Sequence, residues 1–184
     1  MNQIIALSLG LLLVCLPNLF AADAAAGLPD AGLSTPASFQ IRNKKFGDLL
    51  RPRDANSAIG TPIVLYPAQP WKCMTWKFHA AGDSAYQLQN HFTSKTFAAE
   101  INAGNQAPQV TQVAFGKDAA TRPVWRFTKM PDGSYRITDA KSGNALTAIK
   151  TEAATDVRIV LQPWQEKDEQ KWELLPIDPK QLTM

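Results

Sequence analysis

Cysteine is nearly absent. The 184-residue chain has two, Cys15 and Cys73. Cys15 sits in an apolar N-terminal stretch that reads as a removable leader, and its loss leaves Cys73 alone. That excludes an internal disulfide, so the fold has to stand on its hydrophobic core. A lone thiol of this kind packs as a small hydrophobe. Histidine is equally scarce, with His79 and His91 alone. Neither has an identifiable nucleophile or carboxylate partner, both are expected to face solvent, and no cluster has metal-ligand spacing. No catalytic residue, no metal site, no cofactor motif and no enzyme is therefore expected. Charge of one sign is also missing: 19 Lys and Arg against 16 Asp and Glu leave a formal charge of +3. Without a basic block, nucleic acid is not expected as a partner. The longest apolar run, "IIALSLGLLLVCL" (4–16), is too short for a comfortable membrane span. No stretch after residue 38 shows convincing helical periodicity.

That apolar run is broken by Pro17-Asn18 and followed by small residues in "FAADAAAG" (20–27). This is the layout of a signal peptide, although "MNQ" places no Lys or Arg before it. Residues 1–26 are assigned to the leader, with cleavage within 21–26, and the protein is expected to be secreted or periplasmic. Residues 27–38 are small, Pro/Gly-punctuated and almost uncharged, which reads as a flexible linker. Residues 176–184 form a C-terminal tail.

Tryptophan is scarce as well, with five in the chain, yet "QPW" occurs twice, ending at Trp71 and Trp164. Aligning the two copies leaves their flanks unmatched. Aligning the following tryptophans works: "IVLYPAQPWKCMTWKF" (63–78) lies over "IVLQPWQEKDEQKWEL" (159–174) without a gap. A third copy, "QVAFGKDAATRPVWRF" (112–127), puts Phe115 on Tyr66 and Trp125 on Trp76. Upstream, "FQIRNKKFGDLL" (39–50), "YQLQNHFTSKTF" (86–97) and "YRITDAKSGNAL" (135–146) also align, with Asn43, Asn90 and Asp139 at the fifth place. Three repeats result, 39–78, 86–127 and 135–174, with length differences assigned to one loop in the middle of each.

Each repeat reads as short strands. Phe39/Ile41, Tyr86/Leu88 and Tyr135/Ile137 alternate with polar residues, as do Trp76/Phe78, Trp125/Phe127 and Trp172/Leu174. Period two over short runs is the strand signal. "AAGDS" (80–84) and "MPDGS" (130–134) supply hairpin turns between repeats. Units of this size cannot bury a face alone but can close an all-β structure together.

Three such repeats, the last ending in Gln170-Lys171-Trp172 and opening "YRITDAKSGNALTA", resemble the ricin B-type lectin family. The resemblance spans residues 39–175. It implies a β-trefoil, with six strands in a barrel and six in capping hairpins. It also implies that Trp76, Trp125 and Trp172 pack in the core. The first two repeats depart from the Gln-x-Trp motif, with Met74 and Pro123 in place of Gln.

The resemblance implies a non-catalytic carbohydrate-binding role. An aromatic face covers the C–H side of a sugar while polar groups take its hydroxyls. Galactose-binding relatives carry an Asp where this chain has Arg51, Ala98 and Thr147, so the galactose pattern is degenerate. In the first repeat Tyr66 keeps the stacking position, with Asp54 and Asn56 on the nearby loop. In the third, Gln170 keeps the amide and Trp164 stands two residues beyond the missing aromatic. Trp71 and Trp164 are either exposed in loops or lids over the barrel; Tyr66 is either a stacking face or a packing residue. The expected carbohydrate-binding residues are Tyr66, Asp54, Asn56, Trp71, Trp164 and Gln170. The partner is a glycan or glycoconjugate. The alternative is a protein-binding trefoil, such as the receptor-binding or delivery subunit of a secreted toxin, whose partner is a second secreted protein.

Overall fold

The computed structural model of the chain describes residues 37–99, 107–150 and 156–183. The expected leader, its cleavage site and the arm up to residue 36 lie outside the described residues. Ser38, assigned to the arm, is instead the buried first residue of a strand.

Each repeat folds as four strands. The first contributes β1 (Ser38–Asn43), β2 (Leu49–Pro52), β3 (Ile63–Tyr66) and β4 (Thr75–Gly82). The second contributes β5 (Ala85–Asn90), β6 (Thr96–Ala99), β7 (Val110–Val113) and β8 (Trp125–Lys129). The third contributes β9 (Tyr135–Asp139), β10 (Ala145–Ile149), β11 (Arg158–Gln162) and β12 (Lys171–Pro176). Among the described residues only short 3-10 turns interrupt the strands. β1, β12, β9, β8, β5 and β4 pair antiparallel in a closed ring, which removes free edges. The inner strands form three hairpins, β2–β3, β6–β7 and β10–β11. Single bridges Pro62↔Thr111, Gln109↔Val160 and Arg158↔Val64 join them into a cap. The chain is a β-trefoil, as the family resemblance implied.

The period-two pattern explains the core. Phe39, Ile41, Leu88, Tyr135 and Ile137 point inward from their strands, and Phe78 and Phe127 meet at 5.2 Å between ring centroids. Trp76, Trp125 and Trp172 are fully buried, as expected. The indole N–H of Trp76 donates to the Leu50 carbonyl at 3.1 Å, and that of Trp172 to the equivalent Leu146 carbonyl at 2.9 Å. Among the described residues the Trp125 N–H has no partner. Phe97 stands where the other repeats have Leu, and its ring lies 4.8 Å from the Trp125 ring.

The second repeat also corrects the gapless alignment. Leu49 pairs with Tyr66 and Ala145 with Gln162, but Thr96 pairs with Val113. Val113, not Phe115, therefore takes the place of Tyr66, and Phe115 falls on the place of Trp164. The three hairpin loops are equal in length. The second repeat's surplus lies instead between its 3-10 turn, Ala119–Thr121, and Trp125. In the other two repeats the turns Lys72–Met74 and Asp168–Gln170 run directly into β4 and β12.

In two of the three repeats the fifth-place residue ties the repeat to the turn before it in the ring. Asn90 Nδ2 donates to the Cys73 carbonyl at 2.9 Å, and its Oδ1 accepts from the Phe92 and Thr93 N–H groups at 3.0 Å each. Asn43 does the same, donating to Glu169 O at 3.0 Å and accepting from Lys45 and Phe46. Asp139 accepts from Ser142 at 2.9 Å, but a carboxylate has no N–H to donate. The turn it would hold is the displaced one, Ala119–Thr121.

Candidate functional site

On β2 and β3 the side chains of Leu49, Arg51, Val64 and Tyr66 share one face, because side chains alternate along a strand. Leu49 lies beneath, buried with Cys73 and Met74 in a small cluster that Ala55, Trp71 and Leu175 flank. Above it Arg51 reaches diagonally to Tyr66, with its guanidinium carbon 3.7 Å from the ring centroid. The Trp71 ring lies 5.9 Å from that of Tyr66, tilted by 31°. Together these residues line a cleft of about 300 Å³ with Asp54, Ala55, Cys73 and Phe92.

Two features fix the rim. Asp54 and Ala55 both take left-handed backbone, with φ of 53° each. Aspartate tolerates that region better than alanine, and two successive non-glycine residues there mark a specifically held loop. Hydrogen bonds from Arg53 N to Pro62 O and from Asn56 N to Arg53 O, each 2.9 Å, hold it, as does an Arg53–Asp156 ion pair at 2.8 Å. Trp71 is braced from the other side by the C-terminal tail. Lys72 N donates to Thr183 O at 3.0 Å and Thr183 N to Pro70 O at 2.9 Å.

The structure thus brings together three of the six expected site residues: Tyr66, Trp71 and Asp54. Asn56 is exposed but does not line the cleft; its Oδ1 accepts from Ala58 N at 2.8 Å and shapes the loop. Gln170 and Trp164 belong to the third repeat. Gln170 is 1% exposed. Its amide donates to Thr147 Oγ1 at 3.1 Å and Pro163 O at 2.9 Å, and its Oε1 accepts from Gln165 N at 2.7 Å. Its polar atoms are engaged within the fold. Trp164 is half-buried, with the Arg136 guanidinium 5.4 Å from its ring.

Two contributors escaped sequence reasoning. Arg51 was visible as a departure from the Asp pattern, yet nothing in one dimension announced its stack on Tyr66. Phe92, 47% exposed, comes from the neighbouring repeat. The available signal was Asn90, since its amide docks the turn carrying Phe92 against Cys73.

The second repeat has the symmetry-related cleft, lined by Ala98, Ala120, Thr121, Arg122, Asp139 and Lys141 among others. Its aromatic is turned elsewhere. Phe115 lies between Arg122, 4.1 Å from its ring, and His79, at 5.1 Å between rings. Arg122 donates to Gly116 O and Lys117 O at 3.1 Å each and to Gln87 Oε1 at 3.3 Å.

Both histidines, expected to face solvent, are half-buried. His79 lies within β4, 3.3 Å from Gln89 Oε1, and His91 Nε2 is 2.9 Å from Ser38 Oγ. Burial lowers the pKa of both. Burial pushes the Cys73 thiol up, only partly offset by the Arg51 guanidinium beside it. Among the described residues no group of three or more His, Cys, Asp or Glu side chains could hold a metal ion, and no helix is long and apolar enough to cross a membrane.

Comparison with known proteins agrees with this architecture. The family described as ricin-type beta-trefoil lectin domain-like matches residues 121–183, the part of the chain with the intact Gln170-Lys171-Trp172. The resemblance read from the repeats therefore holds. No curated protein matches the sequence. A designed 3-fold symmetric protein, ThreeFoil, superposes with a TM-score of 0.67 at 19% identity, covering 76% of this chain and 99% of its own. The ricin B-like lectin of Macrolepiota procera, solved in complex with lactose, gives a TM-score of 0.61 at 17% identity, over 77% of this chain and 96% of its own. A mosquitocidal holotoxin gives 0.67 at 15% identity over 82% of this chain, which spans only 18% of that toxin. At these identities the likenesses establish the trefoil fold.

Proposed function

We propose that the protein is a non-catalytic, lectin-like carbohydrate-binding trefoil whose working site is the first-repeat cleft. One observation carries this: Tyr66 and Trp71 stand side by side on the wall of a cleft that also holds the Asp54 carboxylate. Apolar faces beside a hydrogen-bonding acceptor are what a pyranose requires. Tyr66, Trp71 and Asp54 contact the sugar. Asn56 shapes the loop, and Gln170 holds the third repeat together. A shallow cleft of this kind binds weakly, near millimolar or about 4 kcal/mol, so useful retention needs a multivalent surface. Export after removal of residues 1–26 belongs to the same proposal and is checked by N-terminal sequencing of the exported chain.

The deciding experiment is a dense, broad glycan array probed with the wild type and with Tyr66→Ala. Binding that Tyr66→Ala abolishes supports the assignment. Binding that Tyr66→Ala leaves intact removes the site, and no binding at all removes the lectin role.

The exposed Phe92 at the cleft rim and the fold likeness to the holotoxin favour a second function, a protein-binding trefoil. Pull-down of a second secreted chain that Phe92→Ser releases, with a blank glycan array, would establish it instead.

A further inference from the structure

We infer that the first-repeat cleft selects a sugar bearing an anionic substituent, a carboxylate or a sulfate, which Arg51 receives. The inference rests on the carbohydrate-binding function proposed above and names the chemical class of its ligand. It starts from an imbalance. Arg51 is 7% exposed, yet among the described residues its Nε has no hydrogen-bond partner. Among the described residues no carboxylate lies within ion-pair distance of it. Arg42 meets Glu173 at 2.6 Å, Arg53 meets Asp156 at 2.8 Å, and Arg122 has three acceptors. Arg136 and Arg158 also leave an Nε without a partner among the described residues, but both are only part-buried, whereas Arg51 is buried. A buried guanidinium without an anion is costly. The Tyr66 ring compensates it only in part, since a cation–π contact supplies attraction but accepts no hydrogen bond.

The position matters as much as the charge. Arg51, Ala98 and Thr147 occupy equivalent places in the three hairpins, opposite Val64, Thr111 and Val160. The first repeat alone puts a cation there, and that cation lines the open cleft between Tyr66 and Trp71. Guanidinium presents parallel N–H donors that match the two oxygens of a carboxylate, or two of a sulfate, in charge-assisted bonds. A sugar set against the ring surface that Arg51 leaves exposed would lay such a group on Arg51 while its hydroxyls face Asp54. The anion would complete the partnership that the folded chain leaves open.

The test compares matched sugars on the intact protein. Oligosaccharides ending in glucuronic or galacturonic acid are titrated against glucose- and galactose-ended counterparts, with 6-sulfated galactose as a further arm. The expected result is that wild type binds an acidic sugar about tenfold more tightly than its neutral partner, and that added salt narrows the gap. The carboxylate and sulfate arms show which group is preferred. In Arg51→Met, which keeps a long apolar stem over Tyr66, the acidic and neutral sugars should bind alike. Equal binding of both by wild type overturns the inference while leaving the lectin function standing. So does an acidic preference that survives in a folded Arg51→Met. Failure of wild type to bind any sugar overturns the underlying function and the inference with it.

Discussion

The clefts of the first and second repeats occupy the same place in the threefold plan and differ in almost every side chain. The second is the larger, about 600 Å³ against about 300 Å³. Yet the smaller one has the Tyr66–Trp71 wall and Arg51, whereas the larger has Ala98 at the arginine's place and no aromatic among its described lining. Volume is thus a poor guide to a binding site. What matters is whether apolar faces and polar groups converge. The difference runs down into the core: among the described residues Trp125 lacks the carbonyl partner that Trp76 and Trp172 have, and Asp139 cannot make the tether that Asn90 makes.

Four experiments would break or sharpen this contrast. The largest effect is expected in the core. Trp76→Ala or Trp172→Ala should destabilise by about 3–5 kcal/mol in denaturant titration. The milder pair Trp76→Phe and Trp125→Phe should differ by about 1 kcal/mol, because only the first leaves a carbonyl stranded. Next comes the tether. Asn90→Asp makes the first repeat's turn resemble the second's, and should cost about 2 kcal/mol by unsatisfying the buried Cys73 carbonyl. Hydrogen exchange at Phe92 and Thr93 should change little, because the carboxylate still accepts from both N–H groups.

The third concerns binding. Tyr66→Ala should weaken glycan affinity at least about tenfold with little change in stability, whereas Phe115→Ala should leave affinity unchanged; calorimetric titration separates them. The smallest effect is electrostatic and joins the first and third repeats. Lys44 contacts Asp132 at 2.7 Å and Asp168 at 3.6 Å, and Lys171 contacts both. The Lys44 ammonium, helped by Ser134, holds the Asp132 carboxyl well below the usual carboxylate range. A depressed acid stabilises the fold above its unfolded pKa and loses that contribution as pH falls through the folded value. Stability should therefore drop slightly below about pH 4, and Asp132→Asn should flatten the drop. The groups are about one-third exposed, so solvent screening keeps the effect small.

Much of this molecule was legible in one dimension. The recurrence of Trp76, Trp125 and Trp172 behind aromatic openings marked three units, and strict alternation marked their strands. "MPDGS" turned where a hairpin was expected, with Gly133 at φ 81°. The cleft was legible in part. Tyr66, Trp71 and Asp54 line it together because all three come from one repeat, close along the chain. Gln170 reads in sequence as the surviving motif amide, but its burial is hidden there, because an amide that binds a ligand and one that binds its own backbone look alike in sequence. Phe115 was misplaced because anchoring on Trp125 hid a two-residue surplus beyond Ala119–Thr121. Only the pairing of Thr96 with Val113 exposes it.

Local pattern, then, determined that this chain is three β-repeats around three tryptophans, because burial period and turn chemistry are encoded residue by residue. The tertiary structure decided which repeat has an open, furnished cleft. That depends on strand register, on a turn lent by the next repeat through Asn90, and on a tail that braces Trp71. Those contacts join residues far apart in sequence, and no local spacing records them.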